Sequence, residues 1–136
     1  MGKSAYLLFG RKKKGECRME IILDTANTGD IQKYCEIYNI AGVTTNPSIV
    51  SKEKKDFFPM IRKIREIIGD RTLHVQVLAP DWQGMLREAE ALFQNVDKNV
   101  YIKIPTSQEG VHAMKVLKER GANVTATAVY TVQQAM

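Results

Sequence analysis

Cysteine is scarce in this chain. Cys17 and Cys35 are the two present in 136 residues, with neither CxxC nor metal-ligand spacing. That pattern argues against a disulfide framework or a thiolate metal centre and makes a reducing cytoplasm the expected compartment. Long apolar runs are also missing, so a membrane-spanning helix is excluded. The apolar run Ala5–Phe9 is too short for the core of a secretory signal, and the basic cluster follows it where it should precede it. Gly2 is followed by Tyr6 where a myristoylation signal wants Ser or Thr. His112 has no partner at metal spacing and reads as a surface residue of a helix.

The excess of positive charge is local. Lys3, Arg11, Lys12, Lys13, Lys14 and Arg18 face only Glu16 within residues 1–18, and the remaining residues balance at zero net charge. A neutral body without a basic stripe argues against a nucleic-acid-binding module built on that arm. Lys14-Gly15-Glu16 can be encoded by a purine-rich ribosome-binding sequence six nucleotides ahead of the Met19 codon. Met19 therefore reads as the native start, with residues 1–18 a leader outside the fold and residues 19–136 the domain. A genuine basic arm is the other reading.

From Met19 onward, short strand-like runs alternate with helix-period segments. The strands are expected at Glu20–Leu23, Gly42–Thr45, Leu73–Leu78, Val100–Ile104 and Asn123–Ala128. Between them, Ile31/Tyr34/Cys35/Tyr38, Phe57/Ile61/Ile64/Ile68, Met85/Ala89/Leu92 and Val111/Met114/Leu117 recur at helical spacing. Thr106-Ser107-Gln108-Glu109 has the form of a capping box, and Gly69 and Gly121 sit where helices should stop. Strict alternation implies a parallel sheet, either an open doubly wound sheet or a (β/α)8 barrel. About four and a half units fit, and the last segment, Val132–Met136, reads as the start of a fifth helix. The expectation is an interrupted barrel.

Polar residues gather where these strands end: Asp24, then Thr44 and Asn46, then Gln76, Lys103 and Thr127. In parallel α/β folds the carboxyl ends of the strands form the ligand face. Lys103 stands among apolar neighbours in Val100-Tyr101-Ile102-Lys103-Ile104-Pro105, in a strand expected to be covered on both faces. A buried, unpaired lysine favours its neutral amine, which attacks carbonyls and forms Schiff bases. Each residue also has a plainer reading. Lys103 could snorkel to solvent, Asp24 could cap a helix, Asn46-Pro47 could mark a turn, and Gln76 and Thr127 could satisfy backbone groups. Trp82 reads as packing at a helix start, and Lys52, Lys54 and Lys55 as a solvated cluster.

Four motifs in order resemble the transaldolase family. They are Leu23-Asp24-Thr25-Ala26-Asn27, Ala41-Gly42-Val43-Thr44-Thr45-Asn46-Pro47-Ser48, Ile102-Lys103-Ile104-Pro105-Thr106 and Thr127-Ala128-Val129-Tyr130. The nearest branch is that of the small transaldolases and fructose-6-phosphate aldolases. The resemblance implies a (β/α)8 barrel with Lys103 as the Schiff-base lysine of the fourth strand. It implies that Asp24 moves protons at a substrate hydroxyl and that Thr44 and Asn46 orient hydroxyls of the dihydroxyacetone portion. Gln76 and Thr127 match positions that hold a catalytic water, and no cofactor or metal is implied.

Gln76 favours free aldol cleavage of fructose 6-phosphate to glyceraldehyde 3-phosphate and dihydroxyacetone. The transaldolases resembled here carry Glu at that position, so transfer within the pentose phosphate pathway is the alternative. The family's phosphate-binding Arg and Ser residues, and the terminal helix that packs on a neighbouring subunit, belong to a second half beyond Met136. The chain alone is accordingly expected to be inactive, or else to be a non-catalytic half-barrel that assembles with a partner half. A homo-oligomer is the expected state of the full-length family.

Overall fold

The computed structural model of the chain describes residues 4–11, 17–45 and 57–136. Met1–Leu73 and His74–Met136 form two compact units. The first contains β1 (Ser4–Arg11), β2 (Cys17–Asp24), α1 (Thr28–Ile37), β3 (Ile40–Thr45) and α2 (Phe57–Ile68). It ends at the start of β4 (Thr72–Gln76), which runs on into the second unit. There follow α3 (Trp82–Asn95), β5 (Tyr101–Pro105), α4 (Gln108–Glu119), β6 (Asn123–Thr127) and α5 (Val132–Ala135). All five strands expected from the sequence are present, and the helices fall between them.

In the first unit β2 and β3 are parallel, with Leu23 opposite Val43 and Asp24 opposite Thr44. A register shift between Ile21 and Ile22 marks a bulge. Ile31, Val43, Ile61, Ile64 and Ile68 have no solvent exposure. The helical spacing of the last three turns one stripe of α2 inward. Asn27 caps α1 by accepting the Asp30 N–H at 3.1 Å. Arg71 ties the far end of the unit together, donating from Nε to the Ile40 carbonyl at 3.0 Å and from Nη1 to the Ile68 carbonyl at 3.1 Å. The segment read from sequence as a leader supplies β1, which lies antiparallel to β2 from Ser4 opposite Asp24 to Arg11 opposite Cys17.

In the second unit β4, β5 and β6 are parallel and in sequence order. Behind them Val75, Ile102 and Ile104 are buried with Met85, Ala89 and Leu92 of α3 and Ala113 and Leu117 of α4. Helix α4 approaches β5 so closely that a Cβ on Gly110 would collide with the Pro105 carbonyl oxygen. The sequence expectation of a Thr106–Glu109 capping box is corrected here. Ser107 is the cap and accepts the Gly110 N–H at 3.0 Å. Glu109 instead accepts the Trp82 N–H at 3.0 Å, joining the first turns of α3 and α4. A capping box does form one helix later, between Thr131 and Gln134. Gly69 and Gly121 end their helices at φ +60° and +78°, as expected of left-handed stops.

Close approach makes the glycine at 110 obligatory for this packing. Gly110→Ala should lower unfolding stability by about 1–3 kcal/mol through overpacking against backbone. Gly69→Ala has open space around its new methyl and should cost only about 1 kcal/mol, for the left-handed conformation alone. Urea unfolding of both variants checks the order.

Candidate functional site

Strand alternation builds the site in the second unit. Successive residues of a strand point to opposite faces, and residues opposite each other in a parallel pair share a face. Ile102 and Ile104 face the helices and are fully buried. Tyr101, Lys103 and Pro105 therefore take the other face. In register with them stand His74 and Gln76 of β4 and Asn123, Thr125 and Thr127 of β6. Gln76, Lys103 and Thr125 make one row, and Pro105 and Thr127 the next towards the carboxyl ends. One face is hydrophobic, the other polar, and Lys103 is half-buried.

Three backbone devices hold the carboxyl ends. The Val77 N–H donates to the Lys103 carbonyl at 3.1 Å, carrying the β4–β5 pairing one step past Gln76. Beyond it, Glu88 of α3 accepts the Leu78 and Ala79 N–H groups at 2.6 and 3.2 Å and fixes the loop. Next to β6, the Thr106 N–H donates to the Thr127 carbonyl at 3.0 Å, and the Thr106 hydroxyl reaches the Ala128 carbonyl at 2.9 Å. Ala128 is held there at φ +57°. A non-glycine residue in the left-handed region carries strain, which here sits directly after a site strand.

Two residues of this face escaped the sequence reading. Thr125 stands opposite Lys103, and His74 lies two residues before Gln76 and is only 7% exposed. His74 Nδ1 is 2.8 Å from Thr125 Oγ1, and its ring lies 4.7 Å from that of Tyr101 at an interplanar angle of 30°. Burial, reinforced by the positive charge of Lys103, lowers the His74 pKa from 6.5 to about 4. Counting back by two from Gln76 and Thr127 would have found both residues.

In the first unit, Asp24 and Thr44 end neighbouring strands in direct register. Thr44 is 7% exposed. Asp24 Oδ1 is buried and has no hydrogen-bond partner among the described residues. A carboxylate oxygen left in that condition is costly in a purely structural role. Asn46 lies outside the described residues, as do Lys52, Lys54 and Lys55. Away from the site, Trp82 opens α3 and stacks at 4.2 Å on His112, which is exposed. No group of three or more metal-ligating side chains occurs among the described residues.

The sequence that places this lysine among amide and hydroxyl groups is similar to known proteins. The sequence model of the transaldolase/fructose-6-phosphate aldolase family covers residues 21–136. The chain belongs to that family. It is 42% identical over 120 residues to the probable fructose-6-phosphate aldolase of Streptococcus pneumoniae (strain ATCC 700669 / Spain 23F-1), across 87% of this chain and 54% of that protein. It is 39% identical over 118 residues to the probable transaldolase of Thermoanaerobacter sp. (strain X514), with the same two coverages. The chain thus spans about half the length of the curated relatives it matches. Its alternating units are the fold of a partial (β/α)8 barrel.

The buried imidazole has a consequence for stability. The folded chain holds His74 near 4 and the unfolded chain near 6.5, so the unfolded state binds the proton first. This contribution is complete above pH 6.5 and is lost as pH falls towards 4, by up to ~3 kcal/mol. His74→Phe should flatten the stability profile over that window in urea titrations at fixed pH. An unchanged slope would show that other groups carry it.

Proposed function

We propose that this chain carries the Schiff-base centre of an aldolase acting on ketose phosphates, with Lys103 as the nucleophile. The observation that supports this best is the row Gln76–Lys103–Thr125 on the polar face of β4–β6. The Lys103 amine adds to the C2 carbonyl of fructose 6-phosphate, and loss of water leaves a protonated imine. That cation accepts the electron pair of the C3–C4 bond as it breaks. Asp24 takes the proton of the C4 hydroxyl, releasing glyceraldehyde 3-phosphate. The enamine left on Lys103 is reprotonated at C3 and hydrolysed, giving dihydroxyacetone and the free amine. Gln76 and Thr127 hold the water used in forming and hydrolysing the imine. Thr44 and Asn46 position the hydroxyls of the three-carbon portion.

Gln76 inclines the reading towards free cleavage. An amide positions water but is a poor base towards it, whereas a carboxylate can also take its proton. Transfer of the three-carbon unit to an acceptor aldehyde is the second reading, supported by the similarity to a probable transaldolase. The matched portion is about half of each relative, and we assign phosphate binding to the other half. On this reading residues 1–136 by themselves show no turnover, and joining them to the carboxyl-terminal half of a relative restores it.

Two measurements check these assignments in such a completed chain. Dihydroxyacetone with borohydride should add a reduced three-carbon adduct to the tryptic peptide containing Lys103, and Lys103→Met should abolish both adduct and turnover. Labelling at another lysine would end the assignment. Gln76→Glu should raise the ratio of transfer to free cleavage by about tenfold or more, the scale of general-base contributions. An unchanged ratio would show that Gln76 does not choose the branch.

A further inference from the structure

His74 lies one row beneath the Gln76–Lys103–Thr125 row and is bonded to a member of it. Its partner strand is not the neighbouring one. His74 is on β4 and Thr125 on β6, so their 2.8 Å contact spans the full width of β5. It crosses that strand between Tyr101, whose ring lies tilted against its own at 4.7 Å, and Lys103. Register thus places Lys103 between Gln76 and Thr125, one row above the imidazole. We propose that His74 is a positioning residue whose bond to Thr125 across β5 holds the Lys103 side chain in the orientation from which its amine meets a carbonyl.

The physical case rests on lysine's flexibility. A four-carbon stem samples many rotamers, and attack on a carbonyl requires a narrow range of approach. A lysine at the centre of a polar row needs walls that restrict it without pairing permanently with its amine. A carboxylate in the position of His74 would hold the ammonium form by its charge. An aliphatic residue would leave the Thr125 hydroxyl without this partner. An imidazole supplies a flat wall and one hydrogen bond. It also adds no positive charge beneath the lysine, since burial and Lys103 itself keep it unprotonated down to about pH 4. The other titratable groups on this face of β4–β6 are Tyr101 and Lys103; Gln76, Asn123, Thr125 and Thr127 carry no charge.

This inference rests on Lys103 being the reactive amine, and the test separates the two ideas. In the full 136-residue chain, the two ε-methylene protons of Lys103 should be magnetically distinct by NMR, while those of the exposed Lys115 and Lys118 coincide. The His74 ring nitrogens should show one fixed neutral tautomer at pH 6. His74→Phe, which keeps volume and stacking, and Thr125→Val, which keeps shape, should each merge the Lys103 signals. In the chain completed with a relative's carboxyl-terminal half, each should also slow borohydride trapping of dihydroxyacetone at Lys103 by about tenfold, as expected for lost orientation. The double variant should lose no more than either single one, because both remove the same bond. Thr125→Ser, which keeps the hydroxyl, should behave as wild type.

A mobile His74 ring or averaged Lys103 protons in the wild-type chain would overturn the inference without any variant. So would full retention of trapping and of distinct protons in His74→Phe. A held lysine that never traps dihydroxyacetone in the completed chain would instead sink the aldolase reading and leave the positioning role standing.

Discussion

The parallel register of β4, β5 and β6 is the constraint on which the rest of this site depends. Because Gln76, Lys103 and Thr125 stand opposite one another, the pleat sends all three to one face and Ile102 and Ile104 to the other. A slip of one residue in β5 would put Lys103 among the helices and Ile102 or Ile104 in the polar row. Two fully buried isoleucines resist that slip, since exposing either costs roughly 1.5–3 kcal/mol in lost burial. The core thus places the lysine without touching its amine.

Helix packing reinforces the same register. Gly110 lets α4 rest directly against the Pro105 carbonyl, which fixes the end of β5 only two residues past Lys103. Glu88 and Thr106 secure the loops after β4 and β6 by accepting or donating hydrogen bonds to their backbones. Each loop is anchored by a side chain of an adjoining element, so the carboxyl ends stay ordered where a ligand face is required. The strain at Ala128 falls within this anchored region. Backbone held in an unfavourable conformation persists only where its surroundings over-determine it.

Each unit has its own electrostatic character. In the second, cation and neutral imidazole share a face whose other members are amides, hydroxyls and a phenol, and the lysine charge opposes protonation of the histidine beside it. In the first, a carboxylate oxygen is buried without a partner among the described residues, next to the buried Thr44. A lysine and a carboxylate thus stand in different local environments.

The sequence by itself determined the alternation of strands and helices, the glycine stops at Gly69 and Gly121, the candidate lysine and most of its polar companions. Those features are local. Period two, period 3.6 and the residue after a strand are written in neighbouring positions, and the four ordered motifs point to the family without any coordinates. Tertiary structure alone decided which polar residues share a row, that Ser107 rather than Thr106 caps α4, and that Glu109 turns to the Trp82 N–H. It also decided that Ser4–Arg11 pairs with β2 and that His74 reaches Thr125. The Glu109 and His74 contacts join residues 27 and 51 positions apart, and the cap depends on which of two adjacent hydroxyls faces an amide. No short window of sequence encodes them, because the register between strands is set by how the buried faces pack.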